Sequence, residues 1–188
     1  MACMIPRTAR SAPGSAVRYP REIAAAITLP AAAAALVAPG GGPPSTAASV
    51  AVTTACGALA TRIALVRFIA DRDAPDPRSI RAFDPFSDPT PPELRGCGVE
   101  PDRSRVRTAG DRCADAWRSW RAQGSAADSA AGAAGALALG SWCSWALGSP
   151  ARAETRARYA LETCADDPLA GLVLRSVLAG SAPSWVRP

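Results

Sequence analysis

The chain has 188 residues, among them 44 alanines, 18 prolines and 15 glycines, and it contains no lysine, histidine or asparagine. That composition excludes imidazole general-base catalysis, histidine metal ligation and lysine Schiff-base chemistry, and it marks a coding sequence rich in G and C. The net charge of +5 is uneven: residues 1–22 carry Arg7, Arg10, Arg18 and Arg21 against Glu22, which leaves only +2 for the rest of the chain. A surface that neutralises many phosphates needs clustered cations, so nucleic-acid binding is not expected.

Residues 1–22 are rich in Pro, Ser, Arg and Ala without periodicity and read as a flexible basic arm. From Ile23 to Thr61 there is no charged residue. A membrane-spanning helix needs about 20 continuous apolar residues, and Pro30 and the Gly/Pro linker at 39–44 are expected to split this run, so a membrane span is not expected. The segment 23–38 also fits an export signal, with an Arg-rich start and small residues near Ala38. Beyond the linker, Ser45 or Thr46 can cap a helix over 46–70. Its stripe is Cys56, Leu59, Ile63, Val66 and Ile69, with Arg62 and Arg67 off it.

Residues 71–110 are Pro-rich and densely charged and read as a loosely packed irregular segment, with one short helix around Ser79–Phe83. Asp111 is a good N-cap for the next helix, on which Cys113, Trp117 and Trp120 share a face. The following helix, about Ser129–Leu147, is uncharged and rich in Ala and Gly. Spaced glycines would permit close packing in lipid, yet Ala, Gly and Ser dominate over Leu, Ile and Val, which favours a helix buried in protein. Gly148, Ser149 and Pro150 form a stop-cap-start sequence. The helix beyond them has Ala153, Ala157, Ala160, Leu161 and Cys164 inward, with Glu154–Arg158 and Arg158–Glu162 as outer pairs. Asp167 and Pro168 repeat the device and open a third helix with Leu169, Leu172, Val173 and Val177 inward. Gly180–Pro183 echoes Gly148–Ala151 as a weak repeat.

Residues 134–168 resemble a tetratricopeptide hairpin, with the small Ser141 inside the first helix, Gly148 at the turn, and Ala153 and Ala160–Leu161 in the second helix. Ser144 stands where that repeat prefers an aromatic, and Ala165 where it has proline. The stretch "AGALALGSWCSWALGSPARAETRARYALETCADDPLAGLVLRSVLAG" resembles the C-terminal end of the actinobacterial domain-of-unknown-function family 4192, with its alanine-rich helix, small turn, "RAxxALE" helix and "DxPLAxLL" helix. The resemblance covers about residues 117–185, and that family's longer N-terminal α/β portion has no counterpart here. It implies a helical fold and a lineage, and no reaction.

The pairs Trp117/Trp120 and Trp142/Trp145 are each spaced i,i+3 on one helix face. They can serve as an aromatic platform or fill gaps among small alanines. Arg152 and Arg156 can clamp an anion or form a solvated face. Trp142, Trp145, Arg152 and Arg156 are therefore the candidate interaction residues. The six cysteines form no CxxC pair. Cys56, Cys143 and Cys164 fall on apolar faces, so buried free thiols are expected rather than disulfides or a zinc site. No catalytic, cofactor-binding or metal-binding residues are assigned, and no cofactor is expected.

The sequence thus leads to an all-α small bundle with a helical C-terminal domain over 111–185 that holds the tetratricopeptide-like hairpin, a long irregular Pro-rich segment and a disordered N-terminus. Its expected role is that of a non-enzymatic cytoplasmic interaction or scaffold module, with a protein partner or self-association covering the open ends. The alternative is an exported or envelope-associated protein with 23–38 as its signal. A third reading is a decayed reading frame without a selected role.

Overall fold

The computed structural model describes residues 18–40 and 44–186. Among these are seven α-helices and no strand: α1 (Arg18–Val37), α2 (Thr46–Ala55), α3 (Leu59–Ala70), α4 (Arg103–Ala122), α5 (Ala130–Ala146), α6 (Pro150–Thr163) and α7 (Pro168–Leu178). The all-α expectation is thereby met. The expected disorder of the arm lies mostly outside the described residues, as does the middle of the Gly/Pro linker.

Four boundaries differ from the sequence reading, each for a physical reason. First, α1 begins inside the expected arm and runs straight through Pro30. An internal proline costs about 3 kcal/mol. Here the following alanines are the best helix formers, and Leu29, Ala32, Ala33 and Leu36 bury fully against the core. Second, the expected helix over 46–70 is two helices, α2 and α3, bent by 114°. The chain turns at Cys56–Ala58, where the Thr61 hydroxyl donates to the Ala55 carbonyl and is also 2.9 Å from the Ala58 carbonyl.

Third, α4 starts at Arg103 and not at Asp111. Asp102 is its N-cap, and its Oδ1 accepts from the Arg105 N–H at 2.7 Å. The buried face of this first part is Val106, Ala109 and Gly110, too small to stand out among arginines.

Fourth, the segment before α4 is irregular but anchored. It holds two 3-10 turns, Pro77–Ser79 and Pro92–Arg95, and the helix expected near Ser79–Phe83 is reduced to the first. Phe83 N–H donates to Ala60 of α3 at 3.1 Å, and Ser184 N–H to Gly96 at 2.7 Å. Gly96 sits at φ 71° against Trp145 and Pro183, where a Cβ would meet the indole at 2.5 Å. Asp88 ties off the loop, pairing with Arg81 at 2.5 Å and accepting from the Asp84 N–H. The Arg81 guanidinium and then that N–H hold the Asp88 carboxyl down to about 2.

The centre of the bundle is α5. Every residue from Gly132 to Ala146 is buried, because α2, α4, α6 and α7 all pack on it. Glycines make this enclosure possible. A Cβ on Gly132 or Gly135 would strike the Thr53 or Cys56 carbonyl of α2, and one on Gly140 would sit 3.1 Å from the Gly110 carbonyl of α4. The glycine spacing compatible with close packing in lipid is used for packing inside the protein.

Candidate functional site

The tryptophans sort into two groups. Trp142 is fully buried and Trp145 nearly so, each with its indole N–H used internally: Trp142 donates to Glu93 at 3.3 Å and Trp145 to Ser181 at 2.8 Å. As a candidate interaction surface both are therefore corrected to core. The alanine-rich centre leaves gaps that only large rings fill, and each ring also pins an irregular segment to α5. Trp185 does the same from the other side, donating to Ala146 at 2.9 Å. The other pair, Trp117 and Trp120 on α4, stays half-exposed.

Two helices flank the central one. Asp111 meets Arg156 at 2.9 Å and the Trp117 indole N–H donates to Thr163 Oγ1 at 3.2 Å, sequence offsets of 45 and 46. A constant offset means that α4 and α6 run parallel, and their common floor is α5. Between them lies an open groove of ≈ 640 Å³, with Ala114 and Leu137 in its lining.

At one end of the groove Trp117 and Tyr159 pack with ring centroids 5.6 Å apart, and the Arg121 guanidinium covers the outer side of Trp117 at 5.0 Å. Tyr159 is 44% exposed. At the other end stand the two arginines expected from the sequence, and the structure separates their roles. Arg156 is 12% exposed; besides Asp111 it donates to the Gly140 carbonyl at 3.1 Å and Ser144 Oγ at 3.0 Å. It braces α4, α5 and α6 together. Arg152 is exposed and makes no ion pair among the described residues. It stands in the first turn of α6, whose N-cap Ser149 offers no side-chain hydrogen bond. Arg118 completes the wall, paired with Asp115.

Two features at the seam between the N-terminal and C-terminal helices were not read from the sequence. Arg62, placed off the apolar stripe, is buried on α3 and pairs with Asp167 at 2.5 Å, both side chains at 6% exposure or less. The same carboxylate caps α7 by accepting from Ala170 N–H at 2.9 Å. The repeated cap was legible, but a second duty across 105 residues was not. Arg105 is the other surprise. It lies over the Phe68 ring at 4.5 Å and donates to the Phe68 carbonyl, while its Nε is buried without a partner and burial lowers its pKa.

Five cysteines lie within the described residues, all unpaired; Cys56, Cys113 and Cys143 are buried, Cys164 is half-buried and Cys97 is exposed. Burial pushes the Cys56 and Cys143 thiols up to about 12 and Cys113 well above its ordinary value. Burial, then the hydrogen bond to Asp166, raises Cys164 as well. Cys3 lies outside the described residues. Among the described residues no cluster of Cys, Asp or Glu is placed to hold a metal ion.

No protein-family model, curated protein or solved structure matches this chain. Function has to be read from the groove and from the core beneath it. A second cleft of ≈ 320 Å³, between α3 and the Pro-rich segment, is lined by Phe68, Ile80 and Phe83 with Arg67, Arg81 and Asp88. The Arg81–Asp88 pair in it is spent on holding its own loop, whereas Arg152 in the α4–α6 groove is free to meet a ligand.

Proposed function

We propose that this chain is a non-enzymatic helical module that binds a protein partner, with the α4–α6 groove as its receiving surface. The observation that carries the reading is the pairing of accessible Trp117, Tyr159 and Arg152 with a floor fixed by glycine contacts. Aromatic and arginine side chains dominate the binding energy of protein interfaces, and a rigid floor reduces the ordering cost of binding. The thiols speak for the same reading. The buried ones are held protonated far above neutral pH and are shielded from substrate, so they support packing rather than nucleophilic chemistry. The tetratricopeptide-like character of α5–α6 belongs to this proposal, and the left-handed Gly148 turn at φ 75° supports its hairpin.

A cytoplasmic location is part of the proposal, supported by the buried unpaired thiols, which suit a reducing compartment. The export reading has one observation in its favour: α1 is long and apolar enough over Pro20–Val37 to cross a membrane. Against it, Ala25, Leu29, Ala32, Ala33 and Leu36 are core residues, and cleavage near Ala38 would uncover the faces they cover. An intact mass from the native host separates the two: full length is expected, and truncation near residue 38 would favour export.

The binding reading is tested by affinity capture from host extract with the wild-type chain, with Arg152→Glu, and with Phe86→Ser as a remote exposed control. A specific protein that is enriched by wild type and control but lost with Arg152→Glu is expected. No enriched protein, or equal capture by all three, would contradict the groove.

A further inference from the structure

We infer that the partner enters the α4–α6 groove through an acidic segment carrying an apolar or aromatic side chain two to four residues from its carboxylates. The inference rests on the interaction-module reading and adds the chemistry of the occupant. Its basis is charge complementarity. Five arginines line the groove and its two ends: Arg107, Arg118, Arg121, Arg152 and Arg156. The carboxylates facing them are Asp111, Glu162 and the Arg118 partner Asp115. The surplus of two positive charges equals the whole net charge of residues 23–188. The remaining charges of residues 23–188 sum to zero.

The spacing of the anchors gives the register. Arg152 and Tyr159 are seven residues apart on α6, which is about 10 Å of helix rise. An extended peptide covers that distance in about three residues. Side chains of an extended peptide alternate in direction, so with a carboxylate on Arg152 the side chain that reaches the Tyr159 and Trp117 rings on the same wall stands two or four positions along. The lining favours a peptide over a nucleic-acid strand, because Ala114, Leu137, Trp117 and Tyr159 offer apolar and aromatic contact beside the arginines that a run of phosphates does not use.

The test is fluorescence anisotropy with a labelled Glu-Glu-Glu-Ser-Ser-Phe peptide, its Gln-for-Glu counterpart, and a single-stranded oligonucleotide, on the full chain. Arg152 is exposed and makes no ion pair among the described residues, so Arg152→Glu is expected to leave the fold intact, as circular dichroism will verify; Arg118→Glu is the second variant. The acidic peptide is expected to bind with an affinity that falls with salt. The Gln peptide and Arg152→Glu are each expected to weaken it by about tenfold, the scale of one charge-assisted contact, and Tyr159→Ala to weaken it less. Equal binding of both peptides, no effect of Arg152→Glu, no binding at all, or tighter binding of the oligonucleotide would each overturn the inference. If a host protein is captured through the groove while the acidic peptide fails, the module reading stands and only the acidic occupant falls.

Discussion

Helices α1 and α5 look alike as text, since α1 beyond Glu22 and the whole of α5 are uncharged runs dominated by alanine. In the fold they differ sharply. The inner one is enclosed on all sides from Gly132 to Ala146, whereas α1 buries one face and leaves Ile23 at 55% and Ile27 at 74% exposure on the other. The distinction is the placement of glycine: Gly132, Gly135 and Gly140 bring the backbones of α2 and α4 onto α5, and α1 carries no glycine at all. Absence of charge permits burial, while small residues on several faces decide how many neighbours can reach.

The largest effect expected is at the seam that joins the two halves. Asp167→Ala removes the α7 cap, worth about 1 kcal/mol, and also leaves Arg62 buried without its counter-ion, a loss of about 3–5 kcal/mol. Urea denaturation should show it, and adding Arg62→Met should restore part of the loss. No recovery in the double variant would show that the charge left behind is not the source.

Next comes the contrast itself. Gly135→Ala puts a methyl into the Cys56 carbonyl and should cost about 1–3 kcal/mol, whereas Ile27→Ala on the open face of α1 should stay within about 0.5 kcal/mol. Equal effects at the two positions, read by thermal denaturation, would erase the distinction.

The thiols give a pH signature and a labelling pattern. Cys56 and Cys143 have folded values near 12 against an ordinary 9.0, so above pH 9 the unfolded chain releases protons that the folded chain keeps. Their contribution is complete below pH 9 and is lost as pH rises from 9 towards 12, which alkaline denaturation curves will show against a Cys56→Ala, Cys143→Ala variant. In native protein Cys97 should be alkylated first and Cys164 more slowly, with Cys56, Cys113 and Cys143 protected until denaturation, as peptide mass mapping will record.

The smallest effect is local. Asp88 lies below its ordinary value, so its hold on the loop is present above pH 4 and is lost as pH falls from about 4 towards 2. Hydrogen exchange at the Asp84 amide should rise in that window while α5 amides stay protected.

Much of the fold was legible because capping chemistry is local. Asp167–Pro168 and Gly148–Pro150 marked α6 and α7 with their boundaries, and the uncharged run marked α5. What escaped was set by contacts distant in sequence. The bend after α2 depends on where α5 crosses it, the start of α4 hid behind a face of alanine and glycine, and Arg62 is buried only because Asp167 arrives beside it. The site was half legible for the same reason. Spacing put Arg152 and Arg156 on one helix but could not show that one braces the core and the other faces solvent. It made Trp142/Trp145 and Trp117/Trp120 equivalent, and only the enclosure of α5 separates the core pair from the half-exposed pair.

The most direct test of the groove uses that separation inside one molecule. The indole N–H signals of a uniformly 15N-labelled sample, assigned by substitution, are followed by NMR as the acidic peptide is added. Shifts at Trp117, the ring in the groove lining, with Trp142 and Trp145 unmoved, are expected. Unchanged spectra, or shifts spread evenly over groove and core rings alike, would contradict the assignment of the α4–α6 groove as the binding surface.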